Sequence, residues 1–391
     1  MKHERSFATL ALSLLAAAPV LVQAAEVREM HPTIVIPEHQ RGLGKPTGFT
    51  PAQLQTAYGF DKISNQGKGQ IIGIVDAFDD PNIEADLGKF STQWNLPACT
   101  TANGCFKKVY ATGTKPKTND QWSAEISLDV EWAHAMAPQA TIMLVEAKGQ
   151  SSKALYAAVD KAVQMGASVV SMSWGGKETA TEVNDDAHFN VTGVTFLVAS
   201  GDSGHAADYP AASPFVVGVG GTALTAGSTG AWQSETAWSC TTSCSSGGGS
   251  GGGTSAYEPE PSYQASAQNS GKRGIPDVAY DADPSTGVSI YISVGIYGLF
   301  GWLEIGGTSM AAPQWASLMA IANSMRVAAG KKTLDQPQNT IYQSAKDLHD
   351  ITTGTNGTCG AQCKAGPGYD FITGLGSPKA DVLIPALVAA K

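Results

Sequence analysis

The octapeptide Gly306-Gly307-Thr308-Ser309-Met310-Ala311-Ala312-Pro313 sets a serine after a glycine-rich turn, at the head of an Ala- and Met-rich run. A hydroxyl there is presented without bulky neighbours. Its own N–H points out of the helix end, where the dipole favours negative charge. Those are the properties of a nucleophile with a built-in oxyanion donor. Pro313 fits a first helical turn, where its missing N–H has no partner to lose. A plain N-cap serine accounts for Ser309 but not for the whole octapeptide. A second group is Glu125-Ile126-Ser127-Leu128-Asp129. On a helix these two acids share one face, close enough to hydrogen-bond when one holds a proton. The spacing by itself also suits two acids on a wet face. A third is Ala199-Ser200-Gly201-Asp202-Ser203-Gly204, after an apolar run. Asp202 can donate a hydrogen bond only when protonated. Read alone, it is an Asp in a Gly-rich turn.

Gly-Thr-Ser-x-x-x-Pro resembles the nucleophile motif of the subtilisin clan, which holds Ser/His/Asp subtilisins and Ser/Glu/Asp sedolisins. A subtilisin needs a His-Gly motif, and none of the seven histidines is followed by Gly. His134 is the best substitute, in an apolar context that suits a packed side chain. Glu125–Asp129, with the flanking Leu128-Asp129-Val130-Glu131-Trp132-Ala133-His134-Ala135, resembles the sedolisin motif that carries the base and its supporting acid, and on that resemblance the chain is identified as a member of the sedolisin family. The resemblance implies Ser309 as nucleophile, Glu125 as general base, Asp129 as the acid that orients it, and Asp202 in the oxyanion hole. It fits acid chemistry: a histidine base titrates near 6.5, whereas a glutamate near 4.3 still accepts a proton at about pH 4.

The same resemblance covers further segments. Ser171-Met172-Ser173-Trp174-Gly175-Gly176 is similar to the stretch that pairs with substrate backbone, so Ser173, Trp174 and Gly175 are expected to bind substrate. Trp174 and Asp76 are candidates to support Glu125, with ordinary packing as the open alternative. Near the C-terminus, the resemblance implies one Ca²⁺ held by the carboxylates of Asp350 and Asp370 and the carbonyls of Ile351, Gly366 and Gly368.

The elements that must position these residues alternate. Gln70–Val75, Ala140–Val145, Ser168–Met172, Val194–Ala199 and Phe215–Val219 read as buried strands. Ile83–Trp94, Lys153–Met165, Glu182–Phe189 and Ser309–Ala328 read as helices, with a shorter one from Phe49. This predicts a single α/β domain of subtilisin-like architecture, a parallel sheet with helices on both faces. Ligands then bind at the carboxyl ends of the strands. Gly247–Gly253 reads as a surface or substrate-facing loop.

The 391 residues carry a formal charge of −9, only 15% charged side chains and 44 glycines. The negative balance argues against nucleic acid or an anionic membrane as partner. Lys2, His3 and Arg5 precede an apolar stretch to Val22 and small residues at Ala24 and Ala25, a signal-peptide pattern over 1–25. Six cysteines fall in three close pairs: Cys99 with Cys105, Cys240 with Cys244, Cys359 with Cys363. Local disulfides are the natural reading in an oxidising compartment, with a zinc site as the competing one. Residues 26–48 read as a linker or short pro-segment, and 49–391 as the catalytic domain with its calcium site.

The expectation is a secreted, monomeric serine-carboxyl endopeptidase acting on proteins or peptides, with no membrane contact after signal cleavage. Sedolisins usually carry a long prodomain, so either this member folds without one or a separate folding partner supplies it. Two alternatives stand beside this: a neutral subtilisin-type protease using His134, and a catalytically silent peptide- or calcium-binding scaffold.

Overall fold

The computed structural model describes residues 1, 27–36, 44–239 and 248–391. Its centre is an eight-stranded sheet. Seven strands run in the order Trp232–Ala237, Val217–Ala226, Thr195–Ala199, Val169–Met172, Ile71–Ala77, Thr141–Ala147, Phe106–Tyr110, and Val278–Asp281 also pairs with Val217–Ala226. All pairings are parallel except that of Trp232–Ala237.

Branched residues drive this sheet, and strand alternation sends them to two cores. Ile72, Ile74, Ile142 and Leu144 enter one core, with the helices Asp120–Met136 and Thr308–Ala328. Val75, Ala77, Met143 and Val145 enter the other, under the helix Ser152–Gln164. Helices thus cover both faces, as the alternation predicts.

Three details differ from the sequence reading. Glu182–Phe189 forms two 3₁₀ turns, Glu182–Asn184 and Asp186–His188, rather than a helix. The Glu182 carboxylate takes the Thr179 N–H, and Asp186 takes the hydroxyls of Tyr209 and Ser213, bonds that compete with a regular helix. The glycine-rich run is not a loop throughout: Gly249–Pro259 is a strand. A Cβ on Gly252 would lie 2.0 Å from the Phe371 carbonyl, so glycine there permits close backbone packing. Pro313 is the sixth residue of its helix, beyond the first turn, so it breaks one intrahelical bond.

Residues 27–36 do not form a free linker. They run extended along the domain, with His31–Pro32 antiparallel to Trp174–Gly175. Residues 2–25 of the expected signal segment (1–25) lie outside the described residues, as do residues 26 and 37–43 and the Cys240 and Cys244 pair. The other two disulfides, Cys99–Cys105 and Cys359–Cys363, are formed. Disulfide sulfurs are not thiolate ligands, which argues against the zinc reading at these positions. Among the described residues, no helix is long and apolar enough to cross a membrane.

Candidate active site

Asn119 starts the Asp120–Met136 helix, its side chain accepting the Trp122 N–H at 3.1 Å. The helix is buried from Trp122 onward. Glu125 and Asp129 therefore share a face turned inward, both 0% exposed. Ser309 is the second residue of the Thr308–Ala328 helix, so its N–H has no intrahelical partner. Asp202 follows the strand Thr195–Ala199, at the carboxyl end of the sheet.

These elements bring the four residues together. The Glu125 carboxyl faces the Ser309 hydroxyl, a contact that favours its ionised form. Neither Glu125 oxygen completes a hydrogen bond of good geometry among the described residues. Asp129 Oδ1 accepts the Ser173 hydroxyl at 2.8 Å, while its Oδ2 has no partner among the described residues. Asp202 Oδ1 accepts both the N–H and the hydroxyl of Thr308, at 2.7 and 2.8 Å. Its Oδ2 is buried without a partner among the described residues and lies 2.6 Å from the point a Cβ on Gly307 would occupy.

Burial dominates the electrostatics. It pushes Glu125 well above the usual carboxylate range, reinforced by the charges of Asp129 and Asp76. It raises Asp129 likewise, with Asp76 adding to the effect and the Ser173 hydroxyl opposing it. Asp76, fully buried at the end of its strand, is pushed up to about 8 by burial. Asp202 is pushed up to about 7, again by burial, against the two bonds from Thr308. Three carboxyls packed together share protons rather than ionise independently. Asp76 thus belongs to the cluster electrostatically.

Trp174 does not reach Glu125 through its indole N–H, which donates to the Val75 carbonyl at 2.7 Å. Its backbone pairs with Pro32, and that of Gly175 with His31. The Ser173 carbonyl accepts the Thr33 N–H at 3.1 Å. All three expected substrate-binding residues therefore hold an extended peptide, the chain's own. His134 lies at the far end of its helix, bonded to the Pro97 carbonyl at 2.8 Å, with burial lowering its pKa. It makes no hydrogen bond to Ser309.

A family model described as the subtilase family matches residues 112–376. The chain belongs to the subtilase family. Within it, this subtilase falls with the sedolisins. It is 33% identical to kumamolisin of Bacillus sp. (strain MN-32) over 376 residues, covering 88% of this chain and 64% of kumamolisin. It is 28% identical to sedolisin of Pseudomonas sp. (strain 101) over 396 residues, covering 90% of this chain and 64% of sedolisin. Among solved structures, Pseudomonas sedolisin (serine-carboxyl proteinase), complexed with two molecules of pseudo-iodotyrostatin, is similar at a TM-score of 0.74 and 27% identity. That similarity covers 88% of this chain and 98% of that chain. The chain spans 64% or less of the length of kumamolisin, xanthomonalisin and sedolisin.

In this subtilase the C-terminal loop gathers oxygen donors. Asp350 Oδ2 accepts the Gly368 N–H at 3.0 Å, and Asp370 Oδ2 that of Gly366 at 3.1 Å. The carbonyls of Ile351, Gly366 and Gly368 accept no hydrogen bond from the described residues. Asp370 Oδ1 also accepts the N–H groups of Ile372 and Thr373 and the Thr373 hydroxyl, so this carboxylate is engaged within the loop.

Sequence reasoning missed three contributors. Thr308 fixes Asp202, and its place beside Ser309 in the motif was the available signal. The Ser173 hydroxyl orients Asp129. Residues 27–36 fill the site, and nothing in their composition marks them for it.

Proposed function

We propose that this subtilase is a secreted serine-carboxyl endopeptidase that hydrolyses protein or peptide bonds in acid surroundings. The observation that carries the reading is the convergence of Ser309, Glu125, Asp129 and Asp202 around an N–H aimed at a peptide carbonyl. Ser309 Oγ attacks the scissile carbonyl, and Glu125 takes the hydroxyl proton. Asp129 holds Glu125 in place, with its Oδ2 available to the proton the cluster shares. The Ser309 N–H and a protonated Asp202 Oδ2 bind the oxyanion. Glu125 returns the proton to the leaving amine, and water hydrolyses the acyl-enzyme with Glu125 again as base. Asp202 keeps its proton below about 7, which links oxyanion stabilisation to acid.

The groove supports a peptide substrate. Ser173, Trp174 and Gly175 present a strand edge, and beside it lies a cleft of about 540 Å³ lined by Lys177, Glu178, Asp202, His205, Asp208 and Tyr257 among others. Asp350, Asp370 and the carbonyls of Ile351, Gly366 and Gly368 would hold Ca²⁺, tying the C-terminal loop together. The packing of His134 against Pro97 removes support from a histidine base.

The test is the pH profile of peptide hydrolysis by the purified protein beside Ser309→Ala and Glu125→Ala. The expected result is activity confined to the acid side of about pH 7, where Asp202 keeps its proton, and lost in both variants. A neutral optimum that survives Glu125→Ala would sink the mechanism.

A further inference from the structure

Residues 28–33 lie extended between two edges. On one side, the Arg28 N–H donates to the Ser152 hydroxyl at 3.0 Å, the Ser152 N–H to the Arg28 carbonyl at 2.7 Å, and the Met30 N–H to the Gln150 carbonyl at 2.9 Å. On the other, His31 and Pro32 pair antiparallel with Gly175 and Trp174, and the Thr33 N–H bonds the Ser173 carbonyl. The Thr33 carbonyl then accepts the Ser309 N–H at 3.0 Å. That oxygen and Asp202 Oδ2 lie 2.4 and 2.6 Å from one point, the place a Cβ on Gly307 would occupy. A carbonyl held at the nucleophile is thus tied, through backbone bonds, to the position of Arg28, five residues before Thr33. Such bonds do not depend on side-chain identity. Any extended peptide can take this register, and the side-chain pockets along it set the preference.

The pocket at the far end of that register takes a cation. Arg28 is 8% exposed. Its Nη2 donates to Asp185 at 2.6 Å and to the Tyr156 hydroxyl at 2.7 Å, and its Nη1 to Glu182 at 3.4 Å. The guanidinium carbon lies 4.7 Å from the centre of the Tyr209 ring. A planar fork that reaches three oxygens and lies over a ring is what arginine offers and lysine does not. The walls are held by contacts of their own. The Tyr209 hydroxyl donates to Asp186 at 3.0 Å, Glu182 accepts the Thr179 N–H at 2.7 Å, and the Tyr156 ring stacks on His188 with centres 5.1 Å apart. Glu182 is fully buried and Asp185 nearly so. Burial raises the Asp185 pKa and the guanidinium opposes that, so a cation here favours the charged carboxylate. Walls already fixed in place cost little ordering when a guanidinium binds.

We propose that Asp185, Glu182, Tyr156 and Tyr209 form a substrate subsite for arginine, at the sixth residue on the amino side of the bond that is cut; the proposal rests on the peptidase reading above. The ligand is a separate peptide substrate, and Arg28 marks the place its guanidinium takes. In this register the residue at the Thr33 position supplies the carbonyl that Ser309 attacks, and the residue at the Arg28 position fills the acidic pocket. Binding energy gained at the pocket helps to hold that carbonyl between the Ser309 N–H and Asp202. Asp185 makes the shortest of the contacts and carries the largest share of the preference.

The test uses two fluorogenic peptides, identical except for arginine or its neutral isostere citrulline six residues before the bond that is cut. The full chain and its Asp185→Asn and Tyr156→Phe variants are assayed at about pH 6, where an ordinary carboxylate is ionised and Asp202, with its pKa near about 7, keeps its proton. Product masses locate the cut. Any cost of displacing residues 27–36 falls on both peptides and cancels in the ratio of their kcat/KM values. The arginine peptide should exceed the citrulline peptide by about tenfold or more, the effect of charge-assisted bonds. Asp185→Asn should bring that ratio toward one, and Tyr156→Phe should lower it. Because each ratio is taken within one protein, a general loss of folding or activity does not imitate the result. A ratio near one in the native chain, a ratio unmoved by Asp185→Asn, or a cut that puts arginine at another distance overturns the subsite and leaves the peptidase reading standing. Failure of the native chain to cut either peptide overturns both.

Discussion

Replacing Asp202 tests whether a carboxylic acid serves as an oxyanion donor. Oδ1 already accepts two bonds from Thr308, and Oδ2 has no partner among the described residues. An asparagine can keep the first role with its oxygen and supply a permanent donor with its nitrogen. In the native protein the donor exists only while Asp202 is protonated, and burial holds that proton up to about pH 7. One pH unit above the pKa, about one molecule in eleven is still protonated, so kcat should fall about tenfold by about pH 8. Asp202→Asn should retain kcat within about tenfold at acid pH and lose that basic limb, since an amide does not titrate there. Asp202→Ala should lose about 100- to 1000-fold in kcat across the range, the usual cost of one oxyanion donor. The assay is kcat on a fluorogenic peptide across the pH range. An unmoved basic limb in Asp202→Asn would refute the reasoning, because another group would then control it.

Three further outcomes are expected, each read in the Ser309→Ala background to suppress self-digestion. Stability should fall as pH rises: carboxyls that ionise near pH 4 when unfolded keep their protons to about 8 in Asp76 and Glu146 and about 9 in Glu182. The folded chain therefore binds more protons than the unfolded one between these limits. Thermal unfolding should show a higher Tm at about pH 5 than at about pH 8.5, and the reverse order would contradict the assigned burial effects. Asp277→Ala should cost about 3–5 kcal/mol in denaturant unfolding, since it leaves Arg273 buried and unpaired; both residues are 0% exposed and joined at 2.5 and 2.7 Å. A loss under about 1 kcal/mol would speak against that cost. Removing divalent cations by chelation should lower Tm, with about 2.7 kcal/mol at stake for an ion present at 100 times its Kd. Ca²⁺ should restore it, and Asp350→Ala should abolish the chelator's effect; an unchanged Tm would remove the calcium proposal.

The architecture was legible because parallel strands buried on both faces read as branched apolar runs, and Gln70–Val75 and Ala140–Val145 stand close to their observed bounds. The candidate site was legible where its chemistry is local. Ser309 with its glycines, and Glu125 four residues before Asp129, are spacings that a helix converts directly into a shared face. Glu182–Phe189 misled because its polar side chains bond across the fold instead of along a helix. The glycine-rich run misled because a loop and a strand that needs close backbone contact have the same composition.

The sequence by itself determined which groups can react, and that Ser309 and Asp202 lie at a helix end and a strand end. Tertiary structure decided which of them meet. Burial of Asp76 beside Glu125 and Asp129 raises all three carboxyls, and no linear spacing encodes that. The bonds from Thr308 to Asp202 and from Thr33 to Ser309 cross 106 and 276 residues of chain. Contacts at such separation follow from the packing of the whole domain, because loop closure places no local signature on the residues it joins.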